Sequence, residues 1–138
     1  GRQCSHNINY WTFGDYIGIG AGAHGKTTQI EDRSITRRWK HRQPAAYINQ
    51  AAQGNACSGC NQLDQADIVF EFLLNALRLR QGFDFELFEQ RTGIIRDHLL
   101  EACGNVDPEL LAVTNKGLAT SQRGFDFLNT VLEQFLEQ

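Results

Sequence analysis

Hydrophobic and polar positions follow a helical period most clearly in the second half of the chain. Between residues 66 and 79 polar residues recur every three or four positions, and apolar residues occupy nearly every other position. The polar positions are Asp67, Glu71, Asn75 and Arg78. This spacing predicts a helix that is buried on most of its sides.

The same pattern predicts shorter helices after this one. Gly82 can end the first helix, and Asp84 can cap a short helix that carries Phe85 and Phe88 and stops at Thr92-Gly93. A third helix over residues 94–103 places three apolar residues on one face and ends at Gly104. Those three residues are Ile95, Leu99 and Ala102.

The last part of the chain combines strand and helix signals. Residues 110–114 and 118–120 fit two short strands joined by a tight turn at residues 115–117. Ser121 then caps a final helix with apolar residues at helical spacing, namely Leu128, Val131, Leu132, Phe135 and Leu136. We therefore predict an α+β fold, mainly helical, with a winged-helix-like domain over residues 66–138. The third helix carries Arg96 but also Asp97 and Glu101, so no basic recognition helix supports DNA binding.

The first half is rich in glycine and aromatic residues. Residues 16–19 resemble a strand, and glycines at 14, 18, 20, 22 and 25 would let a ligand or another backbone approach closely. Residues 20–27 match G-x-x-x-x-G-K-[ST], the phosphate-binding P-loop. That loop requires a following helix, but residues 27–40 carry few apolar positions. We therefore disfavour a nucleotide hydrolase.

Composition narrows the class of protein further. The net charge is −3, and the one basic run lies within residues 37–42, which argues against general nucleic-acid binding. No apolar run approaches the ~20 residues that span a bilayer, and no signal peptide is evident. We therefore expect a soluble, cytoplasmic protein with no transmembrane segment. The chain contains no methionine, which predicts a piece of a longer protein.

Four cysteines are few for a disulfide scaffold, so a reducing compartment is expected. Cys57 and Cys60 have half of a zinc spacing but lack a second pair, and we interpret them as incidental. Their surroundings, residues 51–65, are rich in Gln, Asn, Gly and Ala, and this composition predicts a linker.

Several long motifs occur in the order expected for a known family. They are Cys4-Ser-His-Asn-Ile-Asn-Tyr-Trp11, Phe13-Gly-Asp-Tyr-Ile-Gly-Ile-Gly-Ala-Gly-Ala-His-Gly25, Arg37-Arg38, Pro44-Ala-Ala-Tyr47, the segment 70–79, Arg91-Thr-Gly93 and Phe127-Leu-Asn129. Together they resemble the C-terminal part of HemW-type proteins, which are radical SAM heme chaperones long described as oxygen-independent coproporphyrinogen III oxidases. The resemblance covers nearly the whole chain apart from residues 53–65.

The resemblance implies a division of labour within a longer protein. In the family an N-terminal partial TIM-like barrel carries a C-x-x-x-C-x-x-C motif that holds a [4Fe-4S] cluster with SAM. No such spacing exists here, so this chain alone is expected to be catalytically silent, with no catalytic residue. Residues 1–50 would be the end of the barrel and a connecting segment, and Tyr16–Gly20 its last strand. The turn formed by Gly20, Ala21, Gly22, Ala23 and His24 would lie near SAM.

The H-N-x-x-Y-W signature is the family feature linked with heme. It comprises His6, Asn7, Tyr10 and Trp11, with His6 as a candidate axial ligand of heme iron. Alternatively, the His-Asn pair satisfies turn backbone groups before a strand, and Tyr10 and Trp11 pack as core.

Other candidate residues have simpler alternatives. His24 could either contact a ligand or donate a hydrogen bond within the glycine turn. Arg37, Arg38 and Lys40 could contact propionates or the SAM carboxylate, although we favour a solvated loop. The aromatic residues Phe70, Phe72, Phe85, Phe88, Phe125 and Phe127 are expected in the core.

Three functions follow from these observations. The first is a HemW-like chaperone that binds and delivers heme. The alternatives are the same region of a coproporphyrinogen III oxidase, or a winged-helix interaction module without heme. The expected partners are heme or porphyrin, heme-accepting proteins and the missing barrel, with no nucleic acid and with homodimerisation left open.

Overall fold

The computed structural model describes residues 4–136, which form seven helices and two three-stranded antiparallel sheets. In chain order the elements are α1 (Ser5–Trp11), β1 (His24–Thr28), β2 (Ile35–Lys40), α2 (Pro44–Ala52), β3 (Cys57–Gln62), α3 (Gln65–Ala76), β4 (Phe83–Asp84), α4 (Phe85–Thr92), α5 (Arg96–Cys103), β5 (Leu111–Val113), β6 (Gly117–Thr120), α6 (Gln122–Asp126) and α7 (Leu128–Leu136). They divide into two compact units. The smaller is Asp15–Asp64, and the larger combines the residues up to Gly14 with those from Gln65 onward.

The core of the larger unit is built around α3. Phe72 is fully buried, and its ring packs edge-on against Phe13, Phe83 and Phe88 at centroid distances of 5.6, 4.9 and 5.1 Å. Such edge-to-face pairs add to the free energy gained by burying the rings. Helix α3 therefore holds α1, β4 and α4 against one aromatic cluster.

The predicted long helix is confirmed, although it ends at Ala76 rather than Leu79. Its buried residues are Ile68, Val69, Phe72, Leu73 and Ala76. The predicted end of α4 is also confirmed, because Gly93 adopts the left-handed conformation with φ of 72°. Asp84 occupies the N-cap position of α4, but its side chain makes no capping hydrogen bond, so that detail of the prediction is wrong.

The predicted hairpin near the C-terminus is also present. Strands β5 and β6 pair antiparallel, and β6 lies between β5 and β4 in the sheet. The hydroxyl of Thr114 accepts hydrogen bonds from the backbone N–H groups of Lys116 and Gly117 and closes the turn. Ser121 caps α6 as predicted, because its hydroxyl accepts from the N–H of Gly124 at 3.0 Å.

Three predictions for the larger unit are corrected. The single final helix is divided into α6 and α7, because Phe127 leaves the helical conformation with φ of −116° and ψ of 40°. Phe127 is consequently 60% exposed and does not belong to the core, whereas Phe70 and Phe125 are half-buried. Ile95 is also exposed, because it precedes α5 as the N-cap residue instead of lying on its buried face.

The smaller unit is an antiparallel sheet in the order β1-β2-β3, with α2 in the connection between β2 and β3. In the β1–β2 hairpin, Lys26 lies opposite Arg37. Ile35 at the start of β2 is fully buried, and its carbonyl accepts a hydrogen bond from the N–H of Leu63. These contacts fix the beginning of β2 against the end of the unit.

Two sequence-based expectations concern the smaller unit. Residues 16–20 form no strand among residues 4–136, where their pairing is limited to one isolated bridge between Tyr16 and Lys26, and their place in a barrel stays a prediction. Residues 51–65, predicted to be a linker, contain β3, which pairs with the free edge of β2. Pairing with a neighbouring strand outweighs the weak strand preference of Cys57–Gln62.

None of the helices within residues 4–136 combines the length and the apolar character needed to cross a bilayer.

Candidate functional site

The four residues of the H-N-x-x-Y-W signature lie on helix α1 in the larger unit. His6 and Tyr10 are one turn apart, and their rings meet edge-on with centroids 4.8 Å apart and an interplanar angle of 85°. Asn7 and Trp11 have the same four-residue spacing, which places them on one neighbouring face of the helix. The helix therefore presents an imidazole, an amide and two aromatic rings within two turns.

The surroundings of these residues differ from those of a packed core. His6 and Asn7 are exposed, while Tyr10 and Trp11 are half-buried. Within residues 4–136 the side chains of His6 and Asn7 make no hydrogen bond, and the Tyr10 ring is the partner of the His6 ring. The alternative in which His6 and Asn7 stabilise a turn before a strand is therefore wrong, and Tyr10 and Trp11 are not fully buried.

Helix α1 is held by the residues that follow it. A seven-residue helix without a side-chain cap is too short to be stable by itself, so its order depends on tertiary packing. Phe13 supplies that packing, because it is buried against Phe72 of α3. The next residue must be as small as Gly14, since a Cβ there would lie 2.0 Å from the side-chain oxygen of Asn9. The Phe13-Gly14 pair thus fixes the end of α1 on the larger unit.

The glycine turn belongs to the smaller unit. Gly20 and Gly22 have positive φ angles of 103° and 70°, which glycine adopts at little cost. The N–H of Gly20 donates to the Tyr47 hydroxyl, and the N–H of Gly22 donates to the carbonyl of His41. These bonds tie the turn to α2 and to the residue that follows β2.

A cleft of about 300 Å³ opens beside this turn. Its lining includes His24, Trp39, Lys40 and Arg42, together with Gly22 and Ser58. The buried Nε2 atom of His41 has no hydrogen-bond partner among residues 4–136. The cleft thus combines two cations, an aromatic ring and a glycine backbone, which is a combination suited to a carboxylate-bearing ligand.

The structure separates the predicted basic residues. Lys40 lines the cleft, whereas Arg37 donates to the Tyr16 hydroxyl and Arg38 donates to the hydroxyl of Thr27. Sequence reasoning did not select Arg42 or His41, although both lie in the basic run at residues 37–42. The sequence does not reveal which residues of that run lie at the cleft, because this depends on the register of the β1–β2 hairpin.

Lys26 and Asp15 form an ion pair that bears on the P-loop match. Lys26 is 2% exposed, and its Nζ lies 3.2 Å from Oδ1 of Asp15. Partial burial raises the pKa of Asp15, but hydrogen bonds from the N–H and hydroxyl of Thr28, together with Lys26, outweigh it and lower the pKa below its usual value. A strand rather than a helix contains Lys26, so the expectation that this is not a P-loop is confirmed.

The cysteines do not converge on a common site. Cys57 and Cys60 lie on β3, and the thiol of Cys57 donates to the carbonyl of Gly59 at 3.2 Å. Cys103 is buried in the larger unit, and burial raises the pKa of its thiol to about 11. Within residues 4–136 no three His, Cys, Asp or Glu side chains are grouped so that they could hold a metal ion.

Comparison with known proteins shows what this chain is similar to. Residues 63–127 match the family described as the HemN C-terminal domain. The fold is similar to a solved structure of coproporphyrinogen III oxidase (HemN) from Escherichia coli, a radical SAM enzyme. The TM-score is 0.60 at 21% identity, over 88% of this chain and 28% of that chain. Residues 63–127 thus resemble a HemN C-terminal domain, and the larger unit contains most of this matched region.

Over its whole length the chain is similar to proteins named heme chaperone HemW. It is 36% identical to the one from Escherichia coli (strain K12) over 100% of this chain, and 35% identical to one from Buchnera aphidicola over 98% of it. The resemblance to the C-terminal part of HemW-type proteins is therefore confirmed. The chain spans about 35% of the length of these relatives.

Proposed function

We propose that this chain is the C-terminal region of a HemW-like protein and that α1 contributes the residues that contact heme. The observation that carries the proposal is the exposed imidazole of His6, which packs on the Tyr10 ring and makes no hydrogen bond within residues 4–136. The relatives of the chain are named heme chaperones. Imidazole nitrogen is a common ligand of heme iron, so His6 suits the axial position.

The other residues of α1 have complementary roles in this proposal. Tyr10 supports the imidazole of His6 and limits its rotation. Trp11, which is half-buried, offers an aromatic surface against which a porphyrin face can lie. Asn7 supplies an exposed amide for a hydrogen bond to a propionate. Because α1 is exposed, heme held there remains accessible to an accepting protein, as delivery requires.

The glycine turn has a separate role in the complete protein. We assign Gly20, Ala21, Gly22, Ala23 and His24 to the neighbourhood of SAM, which the missing barrel would bind with a [4Fe-4S] cluster. Lys40 and Arg42, which line the cleft beside the turn, suit the carboxylate of SAM. This chain itself contributes no cluster ligand and no catalytic residue.

The remaining partners follow from the missing part of the protein. The exposed apolar side chains of Ile17 and Ile19, at 79% and 87% exposure, support a contact between the segment 15–20 and the absent barrel. In this proposal that segment completes its strand pairing in the barrel, and the larger unit is the winged-helix-like C-terminal domain. Heme-accepting proteins are the further partners, and the protein acts in the cytoplasm, where its free cysteines stay reduced.

Titration of the 138-residue chain with hemin, followed by the Soret band, tests the assignment of His6. We expect a saturable one-to-one shift that is lost in His6→Ala. The matched control is His98→Ala, because His98 is another exposed histidine of the larger unit. It should titrate like the unchanged chain.

Two outcomes would contradict the proposal. If His6→Ala and the unchanged chain titrate identically, His6 is not an axial ligand. If instead the shift is lost in His98→Ala, heme binds elsewhere on the larger unit. A coproporphyrinogen oxidase would be distinguished by activity of the full-length protein on coproporphyrinogen, which the proposed chaperone lacks.

A further inference from the structure

A groove in the larger unit is not used by the proposed heme or SAM sites. It runs between α3, α5 and α7 and has a volume of about 570 Å³. Its floor is apolar and includes Val69, Phe70, Leu73 and Phe135, with Leu136 at one edge. We call it the α3–α5–α7 groove.

The floor of the groove is an incomplete apolar surface. Leu136 is 64% exposed although it lies on α7 beside the buried Phe135. Exposed apolar side chains next to a cleft lose contact with water when a partner covers them, and that burial favours binding. A groove bordered by three helices matches the way proteins bind an amphipathic helix, whose apolar side chains enter the groove at intervals of three and four residues.

The charges around the groove select the kind of partner. Asp67 on α3 and Glu101 on α5 lie in its lining, and His98 adjoins Glu101 with Nδ1 3.9 Å from the Glu101 carboxylate. The sequence from Gln65 onward has a net charge of the same sign, since residues 65–138 carry twelve Asp and Glu residues against six Lys and Arg residues. A phosphate, a propionate or an acidic peptide would be repelled, whereas a cationic partner would be attracted.

We propose that the α3–α5–α7 groove is a docking site for an amphipathic helix of a partner protein that carries apolar residues on one face and Lys or Arg beside them. The apolar face contacts Phe70, Phe135 and Leu136, and the cationic residues contact Asp67 and Glu101. This inference does not depend on heme binding by α1, because the two surfaces share no residue. It gives the chain a separate surface by which a protein partner is recognised.

Fluorescence anisotropy with a labelled synthetic helix built of Leu and Lys tests the proposal on the 138-residue chain. We expect saturable one-to-one binding, whereas the same helix with Glu in place of Lys should not bind. Glu101→Lys should raise the Kd by about tenfold, because it replaces an attractive charge by a repulsive one. Glu133→Lys is the matched control, since Glu133 is exposed and lies outside the groove. It changes the net charge equally and should have a much smaller effect.

A second pair of variants tests the apolar contribution. Leu136→Asp should weaken binding although it adds a negative charge, whereas Ile95→Asp adds the same charge at an exposed position outside the groove and should not weaken it. Equal effects of Glu101→Lys and Glu133→Lys would show that only overall charge attracts the helix and would overturn the proposal. Absence of saturable binding, or binding of the Glu helix, would do the same. Folding of each variant is checked by circular dichroism.

Discussion

Replacement of Phe13 offers a sharp test of how α1 is attached to the larger unit. Phe13 is 2% exposed, packs on Phe72, and has a positive φ of 60°. The first two properties stabilise the fold. The third costs free energy, because the left-handed conformation crowds the Cβ of an L residue.

These effects predict that Phe13→Gly is more stable than Phe13→Ala, which is the reverse of the usual order for glycine and alanine. Loss of the buried ring in Phe13→Ala should lower the free energy of unfolding by about 3–5 kcal/mol. Phe13→Gly loses the same ring but also removes a left-handed strain of about 1–2 kcal/mol. Glycine costs about 0.5–1 kcal/mol more than alanine in a regular element. At position 13 we expect Phe13→Gly to be more stable than Phe13→Ala by about 1 kcal/mol.

Urea unfolding followed by circular dichroism measures this difference, with Phe88 as the matched control. Phe88 is also fully buried, but it lies inside α4, where the usual order applies. There Phe88→Gly should be less stable than Phe88→Ala by about 1 kcal/mol. If Phe13→Gly were the less stable variant at position 13 as well, the left-handed anchor of α1 would be refuted.

Three further predictions concern the other groups described above. Gly18→Ala should destabilise the smaller unit by about 1–3 kcal/mol, because the new Cβ would lie 2.2 Å from the carbonyl oxygen of His24. Thermal unfolding measures this loss, and an unchanged midpoint would show that the backbone relaxes freely. The pKa of Asp15 is lower in the folded chain than its usual value of 3.8. The ionised Asp15 carboxylate therefore stabilises the fold fully above pH 3.8, and this stabilisation is lost as the pH falls through the folded-state pKa. The stability difference between the unchanged chain and Asp15→Asn should therefore shrink on acidification in urea titrations, and a constant difference would argue against the ion pair. Burial raises the pKa of Cys103 to about 11, so iodoacetamide should alkylate the exposed Cys60 much faster than Cys103 at neutral pH. Mass spectrometry follows the two rates, and equal rates would indicate that Cys103 is accessible.

Elements with local signals were predictable from the sequence. The period of polar residues in α3, the glycine after α4 and the serine before α6 each act within a few residues, so they could be recognised without tertiary information. The family resemblance could also be recognised, because its motifs occur in order along the chain. The few apolar positions after the glycine-rich segment argued against a P-loop for the same local reason.

The construction of the candidate sites depends on long-range contacts. Helix α1 lacks a local cap and depends on the packing of Phe13 against Phe72, so its sequence resembled a turn before a strand. Strand β3 has a linker-like composition and is ordered by pairing with β2. Likewise the register of β1 and β2 placed Lys40 and Arg42 beside the glycine turn and turned Arg37 toward Tyr16. In each case the element is stabilised by contacts between residues far apart in sequence, and a local sequence pattern cannot reveal those contacts.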